Sequence, residues 1–525
     1  MDHPSTKEHP MADLPTITAS RIAELLERTP RSSFVAGRFL GGTASLDVLD
    51  PATGRALTQV VDADAPAVGL KALDAAVDVQ EDWAATTPRQ RSEILRRAYD
   101  LCHERADDLA LLMTLEMGKP LAEAYGEVTY GAEFLRWFSE EAVRLPGRFR
   151  HAPAADEAIL TVARPVGPTL LITPWNFPLS MGTRKIAPAL AAGCTVVLKP
   201  AQKTPLTSLL LMEILAEAGV PAGVVNCVVS SDSKGLSSTL MSDPRLRKVS
   251  FTGSTPVGRT LLAQASEHVL KASMELGGNA PFLVLPSADV ETAVKAAMLG
   301  KFRNNGEACT AANRFYVHSS LAEEFTARLA EETAKLQVGP GIAPGTTMGP
   351  MIDAAALEKI EDLVADAVDR GARVLVGGRR PAPASLAAGG SASTDSTDSS
   401  DSSSSDGGYF YEPTVLTDVP RAARVNREEI FGPVAPIIVL DDIDEMVAAA
   451  NDTEFGLMAY VAGEDLGEVT DVAGRIESGM VAVNIGVASD PSAPFGGVKE
   501  SGLGREGSHE GITEFLEMTY VRLPL

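Results

Sequence analysis

Short apolar runs rich in β-branched residues alternate with longer helix-periodic runs through most of this chain, and that alternation leaves few architectures open. Strands repeatedly followed by helices pack as a parallel or mostly parallel sheet wrapped on both faces, the α/β class. Thr169-Leu170-Leu171-Ile172 and Thr195-Val196-Val197-Leu198 read as buried strands. Between them a helix over 185–192 stops at Gly193, the residue type that closes helices in a left-handed conformation, so this segment is one βαβ unit. A second unit runs from a helix over 206–218 into a strand over 223–229.

Three segments depart from the pattern. Over 148–164, Ile159, Thr161 and Ala163 alternate with Leu160, Val162 and Arg164 beside an Asp156-Glu157 turn, which predicts a projecting hairpin. Thr519-Tyr520-Val521-Arg522-Leu523 is a strand with no neighbour in sequence, so it and the hairpin are candidates to pair between subunits. The stretch 391–408 is almost entirely Ser, Asp, Thr and Gly, which bury too little apolar surface to offset the entropy of ordering. It is expected to be a disordered surface insertion, 381–408 at its widest.

A chain of 525 residues exceeds the size at which one hydrophobic core stops growing, so two or three units are expected. The formal charge of -24 repels phosphate backbones and anionic lipid, which argues against nucleic acid or membrane partners. An anionic substrate would need its own local cluster of Arg or Lys. Apolar stretches are cut well before the ~18 to 20 residues of a membrane span. Met1-Asp2-His3-Pro4-Ser5 has no basic region leading into an apolar one, and the expected location is cytoplasmic. Cys102, Cys194, Cys227, Cys309 and the seven histidines show no metal-ligand or disulfide-framework spacing, so no metal site is expected.

Four motifs carry the candidate chemistry. Gly306-Glu307-Ala308-Cys309-Thr310 places a cysteine in a glycine-containing turn after a helix-like run, a position open to a nucleophile. Met274-Glu275-Leu276-Gly277-Gly278-Asn279 brings a carboxylate out of a strand into a turn, where it can serve as a general base. Pro174-Trp175-Asn176-Phe177-Pro178 follows a buried strand, and strand ends are where open α/β sheets bind ligands. Its Asn176 can donate an amide hydrogen bond to a developing oxyanion. Phe251-Thr252-Gly253-Ser254-Thr255-Pro256-Val257-Gly258-Arg259 runs from strand into helix and suits a pyrophosphate, although neither a nucleoside-triphosphate loop nor a G-x-G-x-x-G is present.

With these motifs the chain resembles the aldehyde dehydrogenase superfamily from about Phe34 to the C-terminus. Met181-Gly182-Thr183-Arg184-Lys185, Lys301-Phe302-Arg303-Asn304 and Ser501-Gly502-Leu503-Gly504-Arg505-Glu506-Gly507 look most like its succinate-semialdehyde branch. The resemblance implies that Cys309 attacks the aldehyde, that Asn176 and the Cys309 N–H hold the oxyanion, and that Glu275 activates water against the thioester. Lys199 would bind the adenosine ribose, Gly253, Ser254 and Gly258 the pyrophosphate, and Glu429 and Phe431 the nicotinamide ribose. Trp175 and Phe495 would line the aldehyde tunnel, with Ser489 beside it. Arg184 and Arg303 would grip the carboxylate of the substrate.

The same resemblance implies a Rossmann-type cofactor domain (31–146 and 166–277), an α/β catalytic domain (278–500) and a small oligomerisation unit (147–165 and 501–525) after an N-terminal extension (1–30). A homodimer or homotetramer follows. NAD-preferring relatives often carry Glu where this chain has Gln202, so NADP or NAD is expected, leaning to NADP, with Lys203 as further positive charge. Two departures stand out. Ala311 replaces a second cysteine frequent in the branch, and Asp490 sets a carboxylate next to Ser489, where it would repel an anion unless it points away. Another semialdehyde, a neutral aldehyde or a catalytically silent scaffold are the alternative readings.

Overall fold

The chain is described here by a computed structural model covering residues 16–145, 147–154, 156–386 and 407–525. The core of its first half is an eight-stranded sheet whose five central strands are parallel, in the spatial order Lys271–Glu275, Lys248–Thr252, Thr169–Ile172, Val196–Lys199, Val225–Cys227. Leu170, Leu171, Val196, Val197 and Leu198 are all buried, because helices cover both faces; this is why these strands read as continuous apolar runs rather than alternating ones. Chain order reverses beside Thr169–Ile172, since the next strand lies on one side of it and Lys248–Thr252 on the other. Such a reversal opens a crevice at the carboxyl ends of the strands.

The helix expected over 185–192 is longer, Ser180–Ala192, and ends at Gly193 with φ +94°. All thirteen of its residues are buried, packed between the sheet and the long helix Leu121–Glu141. Its polar members Thr183, Arg184 and Lys185 therefore lie inside the protein, where charge requires a partner.

Residues 276–279 carry the chain from this sheet into a seven-stranded one. Its order is Arg373–Val376, Thr414–Thr417, Val434–Leu440, Ala312–His318, Ala280–Val284, Met458–Ala462, Met480–Val483, parallel except at the first pair.

The predicted hairpin forms from Gly147–His151 and Glu157–Pro165. The C-terminal strand, Leu516–Pro524, does have a partner within its own chain: it pairs antiparallel with Glu157–Pro165, Thr519 opposite Val162. Pairing with the hairpin was invisible in sequence because the two segments lie over 300 residues apart. The expected unit 501–525 is also divided, since Gly502–Leu503 instead closes the edge of the eight-stranded sheet against Met274 and Glu275.

Within the expected N-terminal extension, Ala19–Arg28 is a helix whose Arg21 and Arg28 both pair with Asp108. The disordered-insertion expectation falls almost wholly on 387–406, outside the described residues, as does the reading of Met1 to Ser5. Among the described residues no helix is long and apolar enough to cross a membrane.

Candidate active site

The turn before Cys309 is shaped by three successive left-handed residues, Asn304, Asn305 and Gly306, with φ of 56°, 60° and 74°. Asparagine tolerates this region better than other side-chain-bearing residues, and glycine adopts it without strain. Together they stop the helix Val290–Phe302 and turn Cys309 to face a cavity of about 380 Å³. Asn176, Trp175, Glu429 and Phe431 share its walls. A side chain at Gly278 would meet the Cys309 carbonyl at 2.6 Å, and one at Gly277 the Glu429 carboxylate at 3.0 Å. The two glycines thus let the chain crossing between sheets run directly beneath the thiol.

Asn176 is fixed from both sides. Its Nδ2 donates to the Glu307 carbonyl at 2.9 Å, and its own carbonyl accepts from Lys119 Nζ at 2.9 Å and from Asn304 Nδ2 at 3.1 Å. An amide NH₂ carries two hydrogens, so one remains for an oxyanion. Phe431, at φ +55°, sits edge-on to Trp175 with centroids 5.4 Å apart, and Glu429 accepts from the Gly278 N–H at 3.0 Å.

Glu275 ends its strand level with Thr252 and lies behind the chamber wall rather than on it. Both of its carboxylate oxygens are buried without a hydrogen-bond partner among the described residues. Burial, reinforced by the negative Glu506, raises its pKa well above the ordinary carboxylate range, while Lys185 and Arg184 oppose that shift. Lys185 Nζ in turn binds Glu506 at 2.5 Å and Ser250 Oγ at 2.8 Å. Burial likewise pushes the Cys309 thiol up to about 12, against a lowering influence from Arg184.

Arg184 is buried and engaged. Its Nη2 donates to the Tyr130 hydroxyl at 2.6 Å, its Nε lies 3.5 Å from Glu506, and its guanidinium covers the Phe495 ring at 4.0 Å. Ser489 lies near the same tyrosine. Phe495, expected on the tunnel wall, is instead a buried platform under Arg184, held by a two-way backbone bridge to Glu506 at 2.8 Å. Arg303 differs: it lies over Phe177 at 5.4 Å and makes no hydrogen bond or ion pair among the described residues. Asp490 resolves the anticipated conflict, because its Oδ1 accepts from the Ser492 N–H at 2.8 Å and the Ser492 hydroxyl at 2.6 Å.

Trp175, Gly253 and Ser254 line both the thiol chamber and a second cavity of about 550 Å³, at the carboxyl ends of Thr169–Ile172 and Lys248–Thr252. Lys199 and Gln202 lie in this second cavity as expected. Gly258 does not; it sits one turn into the helix Thr255–Ala265, where any side chain would strike Leu276 at 2.4 Å, so its role is packing. Lys203 touches both cavities, but its ammonium is paired with Asp353.

A model of the aldehyde dehydrogenase family matches residues 40–392 and 384–521. The chain belongs to the aldehyde dehydrogenase family. It is 54% identical over 452 residues to a succinate-semialdehyde dehydrogenase of Paenarthrobacter nicotinovorans, covering 86% of this chain and 95% of that protein. It is 45% identical over 485 residues to the Escherichia coli succinate-semialdehyde dehydrogenase GabD, whose name carries NADP(+), covering 92% and 95%. The crystal structure of succinate-semialdehyde dehydrogenase from Burkholderia pseudomallei superposes with a TM-score of 0.89 at 43% identity, covering 95% of this chain and 98% of that one.

For an aldehyde dehydrogenase, the sequence reading missed several neighbours that the fold supplies. Lys185 and Glu506 stand inside quoted motifs, yet nothing local shows that they meet across the core. Tyr130 lies on a separate helix, and Lys234, on the wall of the second cavity, belongs to no motif.

Proposed function

We propose that this aldehyde dehydrogenase oxidises succinate semialdehyde to succinate with NADP(+), through a thioester on Cys309. The carrying observation is the shared wall: a partly exposed thiol opens on a chamber continuous, through Trp175, Gly253 and Ser254, with a cavity suited to a dinucleotide. The fit of that cavity rests on its chemistry. Among the described residues Lys199, Lys203 and Lys234 line it and no carboxylate does, and Lys199 is nine-tenths buried without a hydrogen-bond partner. Lys199 and Gln202 would hold the adenosine ribose, Gly253 and Ser254 the pyrophosphate, and Glu429 and Phe431 the nicotinamide ribose. Bound there, the dinucleotide supplies the two-electron acceptor for hydride leaving the substrate carbon.

The protein's own residues carry the remaining steps. The Cys309 thiol loses its proton to solvent water, the resulting thiolate adds to the aldehyde carbon, and the free N–H of Asn176 with the Cys309 backbone N–H takes the alkoxide charge. Loss of hydride converts that adduct to a thioester. Glu275, once ionised, removes a proton from water as the water attacks, and Cys309 leaves as the thiolate with succinate as product. Since burial favours the protonated form of Glu275, the base is strengthened and its ionisation is reached only above the ordinary carboxylate range.

Arg303 is the cation left for the substrate carboxylate, whereas Arg184 is committed to Tyr130 and Glu506 and holds the Phe495 side of the site. Arg303→Ala is expected to raise KM for succinate semialdehyde about tenfold or more while leaving KM for a neutral aldehyde such as hexanal within twofold. Equal losses on both would remove Arg303 from substrate recognition. The reading includes a homodimer or homotetramer joined through the three-stranded sheet, whose Phe149, Met518 and Tyr520 are exposed. A cytoplasmic location accords with four unpaired cysteines.

A further inference from the structure

The second cavity carries positive charge at residues other than Gly253 and Ser254, which are assigned to the dinucleotide pyrophosphate. In a chain of net charge -24, three lysines and no carboxylate line it. Lys203 is matched by Asp353, so Lys199 and Lys234 are the uncompensated pair. Lys199 rises from the end of Val196–Lys199 and is buried with no hydrogen-bond partner for its ammonium among the described residues; burial alone lowers its pKa to about 8. Lys234 lies in the first turn of the helix Ser233–Met241, and its ammonium makes no hydrogen bond or ion pair among the described residues. The neighbouring Asp232 carboxylate is spent on capping that helix, accepting from the Gly235 N–H at 2.7 Å.

Position assigns the two ends of the cavity. Trp175, Gly253 and Ser254 are shared with the thiol chamber, so the ligand's reacting half leads from there. Ser233, Lys234 and Ser237 line only the second cavity, on the helix that also presents its N-terminus there. The half of the ligand away from the reacting carbon is the adenosine, and the 2′-phosphate on its ribose is the one group that separates NADP(+) from NAD(+).

We propose that Lys234 is a specificity-determining residue that, with Lys199 across the same cavity, holds the 2′-phosphate of the adenosine ribose. This rests on the NADP(+) reading above. Ser233 and Ser237 supply hydroxyl donors on the same wall, and Gln202 leaves the ribose side without the negative charge that would repel a phosphate. Because Lys234 is exposed, its contribution is modest and screened by salt.

The test is calorimetric binding of adenosine 2′,5′-bisphosphate and adenosine 5′-monophosphate to the full chain, two probes that differ only in the 2′-phosphate. The wild-type protein is expected to prefer the bisphosphate, and Lys234→Ala to cut that preference about three- to fivefold, with Lys234→Arg keeping it. The ratio of KM for NADP(+) to KM for NAD(+) should rise in parallel. Equal affinity of the wild type for the two probes would overturn both the NADP(+) reading and the role of Lys234. A preference that survives Lys234→Ala, or equal weakening of both probes, would overturn the role of Lys234 alone.

Discussion

The chamber around Cys309 and the cavity around Lys199 meet at Trp175, Gly253 and Ser254, yet they handle charge in opposite ways. Behind the chamber, buried charges answer one another: Lys185 binds Glu506, Arg184 faces Glu506 and Tyr130, and Glu275 is tuned by Glu506, Lys185 and Arg184. In the cavity, Lys199 and Lys234 have no hydrogen-bond or ion-pair partner among the described residues. The first arrangement holds reacting groups in fixed electrostatic relation before substrate arrives, and the second leaves a deficit that an anionic ligand fills. Chemistry and recognition are thereby separated within one cleft.

That separation can be broken or sharpened by substitution. The largest effect is expected from Cys309→Ser, which should abolish oxidation by on the order of 10⁴-fold or more while adenosine 2′,5′-bisphosphate binds as in the wild type. Weakened binding in this variant would show that the two regions are coupled. Glu275→Gln should lose ~10²- to 10⁴-fold in turnover, with one rapid equivalent of reduced nicotinamide preceding the block, because only deacylation needs the base. Rapid-quench or stopped-flow absorbance reads this directly; absence of the burst would assign Glu275 to an earlier step.

The smallest effect is a shift rather than a loss. Glu506 raises the Glu275 pKa and Lys185 lowers it, so Glu506→Gln removes a raising charge and frees the lowering one. The active form is the ionised carboxylate, whose population falls as pH drops through the raised pKa. The acidic limb of the kcat profile should therefore move to lower pH in Glu506→Gln, with KM for the cofactor unchanged. A limb that stays in place or moves upward would show that the buried charges do not communicate as the chamber's geometry requires.

Much of the site was legible because its signals are local. A cysteine after Gly306, a carboxylate before Gly277 and Gly278, and an asparagine between prolines each report a turn at the end of a regular element; Cys309 and Asn176 line one chamber, and Glu275 is buried behind its wall. The errors were of another kind. Gly258 looked like part of a phosphate loop but is small because Leu276 packs there, and Lys203 looked free for phosphate but is held by Asp353. Phe495 read as a wall of the tunnel and proved to be the surface on which Arg184 lies.

By itself the sequence determined the α/β class, the βαβ units and the positions of Cys309, Glu275 and Asn176, since hydrophobic period and turn residues act over a few positions. Only the tertiary structure decided which charges are spent and which are available. Lys185 and Glu506 are 321 residues apart, and Leu516–Pro524 finds its strand partner in a hairpin as distant. Such pairings are fixed by what must be buried together once the sheets have formed, and a buried charge without a partner costs too much to persist unless a ligand is meant to meet it.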